Sequence, residues 1–180
     1  MGFLTEVQKD NFYKEKEYLD YIQTHVYNVK RAFYDYGKDL CKTVGADWEQ
    51  VQSMIEKHDS SKYGIEEFSQ YRKKWHPYEG EEFTPEDRLE YDKAWCHHIN
   101  NNPHHPEYWI VPEYPNNKVL DMPPECLVEM ICDWQSFNYI GRGNAYDFYY
   151  NKDKKEGLMS QKTRELLEAG LEIIHNKKED

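Results

Sequence analysis

Positive charge is what this sequence has least of. Lysine and arginine total 23 against 34 aspartates and glutamates, a net charge of -11. Proteins that bind nucleic acid or anionic membranes by their general surface need a basic face to displace counterions. The balance here argues against both partners and leaves room only for a local basic pocket suited to a small phosphate compound. Long apolar runs are also missing, so no segment is expected to span a membrane. The start of the chain has no basic stretch followed by an apolar one, and Glu6 stands where a myristoylation signal needs serine or threonine. Cysteines are few and scattered: Cys41, Cys96, Cys126 and Cys132, with no CxxC pair. They read as reduced thiols of a cytoplasmic protein, with Cys96 a candidate soft ligand beside His97. There is no GxxxxGK[ST] loop, no GxSxG elbow and no HExxH helix, so P-loop, serine-hydrolase and zincin chemistry lack support.

What is present is aromatic bulk and helical rhythm. The hydrophobic fraction is only 38%, but 16 tyrosines and 5 tryptophans bury large areas each and can build the core that aliphatics do not. The 180 residues suit one compact domain, taken as spanning 1–180. Apolar residues recur every three or four positions, and no stretch alternates cleanly as a strand does. Helices are expected over about 11–44, from Asp47 (with Gln50 at capping-box spacing) through His58, over 65–75, from Thr84-Pro85 to about 100, from Pro123-Pro124 to about 137, and from Ser160 to about 175. Residues 76–83, 100–117 and 138–157 read as connections. The predicted fold is all-α, a single-domain bundle of about six helices.

Histidine placement then carries the chemistry. His25, His58 and His98 each fall on or beside the apolar stripe of a different helix, and Asp133 shares a face with Met130 and Phe137. A carboxylate on an apolar face is costly unless it is paired or bound to a metal. Imidazole and carboxylate together suit divalent Mn, Fe, Zn, Co or Ni. A centre of one or two such ions inside the helical bundle is the expectation.

The ordered set His25, His58-Asp59 and Asp133, the last within Ile131-Cys132-Asp133-Trp134, resembles the HD superfamily of metal-dependent phosphohydrolases. The strings His58-Asp59-Ser60-Ser61-Lys62 and His97-His98, followed by His104-His105-Pro106-Glu107-Tyr108-Trp109, are similar to those of an HD-like family of bacteria and their phages. The resemblance covers nearly the whole chain. It implies one metal held by His25, His58, Asp59 and Asp133. A second ion would be held by His98 and one of His104 or His105, of which His105 is taken, with Asp59 bridging.

The reaction so implied is hydrolysis of a small phosphorylated compound, a nucleotide among the candidates, by metal-activated hydroxide, with Asp59 and Lys62 as catalytic residues and Lys62 facing the phosphate. Lys62 stands where some HD nucleotidases carry an acid, so their general acid does not transfer; Glu66, Glu67 and Glu107 are substitutes. Arg142, between Gly141 and Gly143, reads as a surface turn that also suits an anion. Trp95, Trp109, Trp134 and Tyr108 read as packing residues that also suit a base. Two rival functions stand beside the hydrolase: a di-iron oxygenase on the same scaffold, and a non-catalytic helical binding protein. The sequence does not decide the oligomeric state.

Overall fold

The computed structural model describes residues 4–151 and 157–177. Among these the protein is all-α, with seven α-helices: α1 (Glu6–Val44), α2 (Trp48–Ile55), α3 (Phe68–Trp75), α4 (Pro85–Asn101), α5 (Pro124–Ser136), α6 (Ala145–Asn151) and α7 (Gln161–Asn176). Two strands of two residues each, β1 (Ile110–Val111) inside the stretch expected to be irregular and β2 (Lys118–Val119) just past its end, pair antiparallel. No described helix is long and apolar enough to cross a membrane.

Local chemistry explains most helix ends. Asp47 accepts a hydrogen bond from the Gln50 amide at 2.7 Å, Ser160 accepts one from Thr163, and Thr84 and Asp87 exchange bonds at the start of α4. The expectation differs most at α6, which lies within the stretch read as a connection. Its seven residues are too few to be stable alone. Two side chains hold its first turn: Asn144 accepts from the Asp147 amide, and Gln135 of α5 accepts from the Ala145 amide.

The chain forms two compact units. The first comprises Met1–Thr24 and Asp59–Asn101; the second comprises His25–His58 and Asn102–Asp180. In the first, α3 lies against α4, and the Tyr18 ring meets Phe68 at 5.1 Å. Arg72 grips Glu81 with two parallel hydrogen bonds and lies 3.6 Å over the Tyr78 ring. This unit is held by aromatic and charged pairs more than by aliphatic burial.

The second unit has a continuous apolar core built around α5, which touches α2, α6 and α7. Leu127, Val128, Met130, Ile131 and Cys132 are all buried, so α5 is enclosed on nearly every side. Val29, Phe33 and Leu40 of α1 join the same core, with Phe33 stacked on Trp48 at 4.2 Å. Gly170 lets α7 come close: a Cβ there would lie 2.8 Å from Ile131 Cδ1 and 3.4 Å from Leu40 Cδ2. Gly170→Leu therefore overfills this contact and should cost about 2–3 kcal/mol in urea denaturation, whereas helix propensity alone would make it stabilising.

Candidate metal centre

In the second unit the polar groups line one face of α5. Glu129, Asp133 and Ser136 stand at positions i, i+4 and i+7, so they form a polar stripe along an otherwise apolar helix. Three histidines meet this stripe. His58, just past the end of α2, places Nδ1 2.9 Å from Glu129 Oε1. His104 places its Nδ1 3.4 Å from the same oxygen. His25 of α1 has Nδ1 3.2 Å from Ser136 Oγ and Nε2 3.1 Å from Asp133 Oδ1. Donor atoms of His58, His104 and Asp133 lie within 4.8 Å of one another, close enough to surround one ion. His58 Nε2 is also 3.4 Å from His25 Nε2.

Proton accounting makes this arrangement informative. A neutral imidazole carries one N–H, and a carboxylate only accepts. Glu129 therefore draws the N–H of His58 and of His104 to Nδ1, which leaves each Nε2 with its lone pair. The His58 lone pair lies 3.9 Å from Asp133 Oδ1, and the three residues group closely, so acceptors are concentrated in one place. A carboxylate that orients an imidazole from behind is the usual outer partner of a metal-binding histidine.

The carboxylates titrate accordingly. Burial pushes Glu129 up, but hydrogen bonds from His104 and His58, with their charges, outweigh it and hold the group at about 2. Burial likewise opposes ionisation of Asp133, and the His25 hydrogen bond with the charges of His25, His58 and His104 brings it below the ordinary carboxylate range. Both remain anions at neutral pH.

The first unit repeats the device. Asp59, buried and in the left-handed region at φ 55, opens a short 3-10 turn over Ser60–Tyr63. Aspartate tolerates this conformation better than most side chains. Lys62 folds back onto Asp59 Oδ2 at 2.5 Å. His98 of α4 places Nε2 3.4 Å from Asp59 Oδ1 and Nδ1 2.9 Å from Glu67, which is fully buried. Glu67 also takes His97 Nδ1 at 2.7 Å. Burial pushes the Glu67 carboxyl up, but the bonds from His98 and His97 bring its pKa below the ordinary value. Tyr18 and Tyr71 bury hydroxyls that find no hydrogen-bond partner among the described residues. Burial, and then nearby negative charge that includes Asp59 and Glu67, keeps both phenols protonated.

The chain belongs to a family of unknown function, DUF5662. The family model matches residues 14–173, a span that includes every residue of both clusters. No curated protein and no solved structure matches the chain.

The structure brings His25, His58 and Asp133 together in the second unit and Asp59, Lys62 and His98 together in the first. His105 is partly buried in the second unit, its Nδ1 3.9 Å from Glu107 Oε2, while His104 joins the His58 and Asp133 group. Glu129 and Ser136 are the site residues that sequence reasoning passed over; Glu67 enters it only as a substitute general acid, and His104 only as the alternative to His105. Glu129 carried a signal, because it interrupts the apolar run Leu127-Val128-Glu129-Met130-Ile131. Cys96 is exposed, and the other three cysteines are buried; burial pushes the Cys41 and Cys126 thiols up to about 11 and about 12, which suits inert packing.

Because the Glu129 pKa is lowered, its stabilising effect is fully present above the ordinary value of 4.5 and fades as pH falls toward 2. In chelator-treated protein, Glu129→Gln should flatten the loss of stability across that window relative to the parent. Urea denaturation at stepped pH measures it.

Proposed function

We propose that this protein is a metal-dependent phosphohydrolase of small phosphorylated compounds, with a divalent ion held by His25, His58, His104 and Asp133. The observation that carries the reading is the common orientation of His58 and His104. Glu129 fixes both Nδ1 atoms and so leaves both Nε2 lone pairs open, that of His58 3.9 Å from Asp133 Oδ1. Such a concentration of buried acceptors is costly without a cation. The donor set is nitrogen and oxygen with no thiolate, which suits Mn, Fe, Zn, Co or Ni. The Asp59–His98 pair, backed by Glu67, offers donors of the same kind for a second ion.

When bound, such an ion lowers the pKa of a coordinated water and polarises a phosphoryl oxygen. The chain's own groups prepare that chemistry. Glu129 and Glu67 hold their histidines in one tautomer, and Ser136 sets the angle of His25. Lys62 offsets the charge of Asp59, and its ammonium is the cation in this cluster able to meet a phosphate oxygen. The resemblance to HD phosphohydrolases supports the choice of hydrolysis, and the net charge of -11 favours a small substrate over a polyanion.

Inductively coupled plasma mass spectrometry of untagged protein should find about one to two equivalents of a transition metal. Asp133→Ala and His58→Ala should each lose an equivalent, and Glu129→Gln should weaken metal binding by about 10–100-fold. The metal-loaded parent should release phosphate from members of a small-molecule panel, and chelation should abolish that release. No metal after soaking with Mn²⁺, Fe²⁺ and Zn²⁺ would sink the proposal. Iron with oxygen-dependent turnover would replace it by the oxygenase.

A further inference from the structure

The second unit contains a cavity of about 250 Å3 that the proposed chemistry does not use. It is lined by Trp134, Phe137, Phe148, Arg142 and Gly143. Its walls are aromatic: Trp134 and Phe148 meet at 5.0 Å and 55°, and Phe137 completes the lining. An apolar cavity of about 150 Å3 already accepts benzene, so this one has room for one ring or a small fused pair and not for a larger compound.

Arg142 gives the cavity its polarity. It is exposed, and its guanidinium makes no hydrogen bond or ion pair with any described residue. The loop that carries it is nonetheless held in place. The Arg142 amide donates to Phe137 O at 3.0 Å, and Asn144 caps α6 just beyond. Gly141 and Gly143 on either side have φ of 73 and 94, conformations that other residues resist. Two turns that only glycine makes easily, one on each side of the arginine, place a planar, five-donor cation beside an aromatic slot.

The geometry points to a binding site for a flat aromatic ring that carries an anionic group. The ring lies among Trp134, Phe137 and Phe148, and the anion, a carboxylate or a phosphate, meets Arg142. Faces and edges of three aromatic side chains favour a planar ring over an aliphatic one of equal size. The guanidinium fork matches either oxyanion with two hydrogen bonds. The site stands apart from the metal reading, because neither Arg142 nor any of the aromatic walls donates to an ion. It touches the centre at one place: the Phe137 ring lies 5.4 Å from that of His25.

Isothermal titration calorimetry of the full chain, as purified and after chelation, tests this with phenyl phosphate, benzoate, cyclohexanecarboxylate and inorganic phosphate. In the chelated protein phenyl phosphate and benzoate should bind about tenfold tighter than the other two probes, and benzoate should bind alike before chelation. The tighter of the two aromatic probes identifies the preferred anion. Arg142→Gln, an exposed loop change that leaves the core intact, should weaken both by about tenfold or more. Phe148→Ala should weaken both by a few-fold and leave the metal content unchanged. The proposal is overturned if, in the chelated protein, neither aromatic anion binds, or inorganic phosphate or cyclohexanecarboxylate binds as tightly. Indifference to Arg142→Gln also overturns it, as does loss of binding on chelation, which would assign the anion to the metal.

Discussion

A buried carboxylate is the constraint on which the second unit depends. Glu129 sits in the middle of a helix enclosed by apolar neighbours, where an unpaired ion would cost several kcal/mol. Two histidines from separate segments offset that cost: His58, at the end of the connection from α2, and His104, in the loop after α4. Each contact ties a distant part of the chain to α5. One turn further along the same face, Asp133 does the same for His25 of α1. The polar stripe of α5 therefore organises three segments at once, and the apolar remainder of the helix packs the rest of the unit around it.

This arrangement divides labour between two classes of acid. Glu129 and Glu67 lie behind their histidines, accept hydrogen bonds from Nδ1–H and leave Nε2 to act. Asp133 lies in front of His58 and Asp59 in front of His98, beside their Nε2 atoms. The same division in both units argues that it serves a purpose beyond stability, since a packed apolar face would be cheaper than three buried carboxylates and a half-buried fourth.

Much of the fold was legible because helix ends obey local chemistry. Asp47, Thr84, Pro124 and Ser160 stand where capping and proline preference place them, and the stripe of α1 from Tyr18 through Leu40 matches the buried residues apart from its more exposed members. α6 was not legible, because its seven residues depend on Gln135, ten positions away, for their first hydrogen bond. The two short strands escaped for the same reason: two residues carry no alternation, and their pairing is made by a loop that returns on itself. At the site, His25, His58 and Asp133 could be found from helical phase. Glu129 was hidden among 34 acidic residues, most of which are solvated, and Glu67 was named as an acid but not as the partner of His97 and His98.

By itself the sequence determined the all-α class, the main helix boundaries and the residue types able to hold a metal. These follow from periodicity and capping, which act over a few residues. Only the tertiary structure decided which nitrogen of each histidine faces outward, which acids stand behind and which in front, that His104 joins His58 and Asp133, and that a glycine-flanked arginine borders an aromatic cavity. Those facts depend on hydrogen bonds and packing between segments up to 111 residues apart, such as Ser136 and His25. No local pattern encodes such distances, because they arise only when burial forces separated polar groups to satisfy one another.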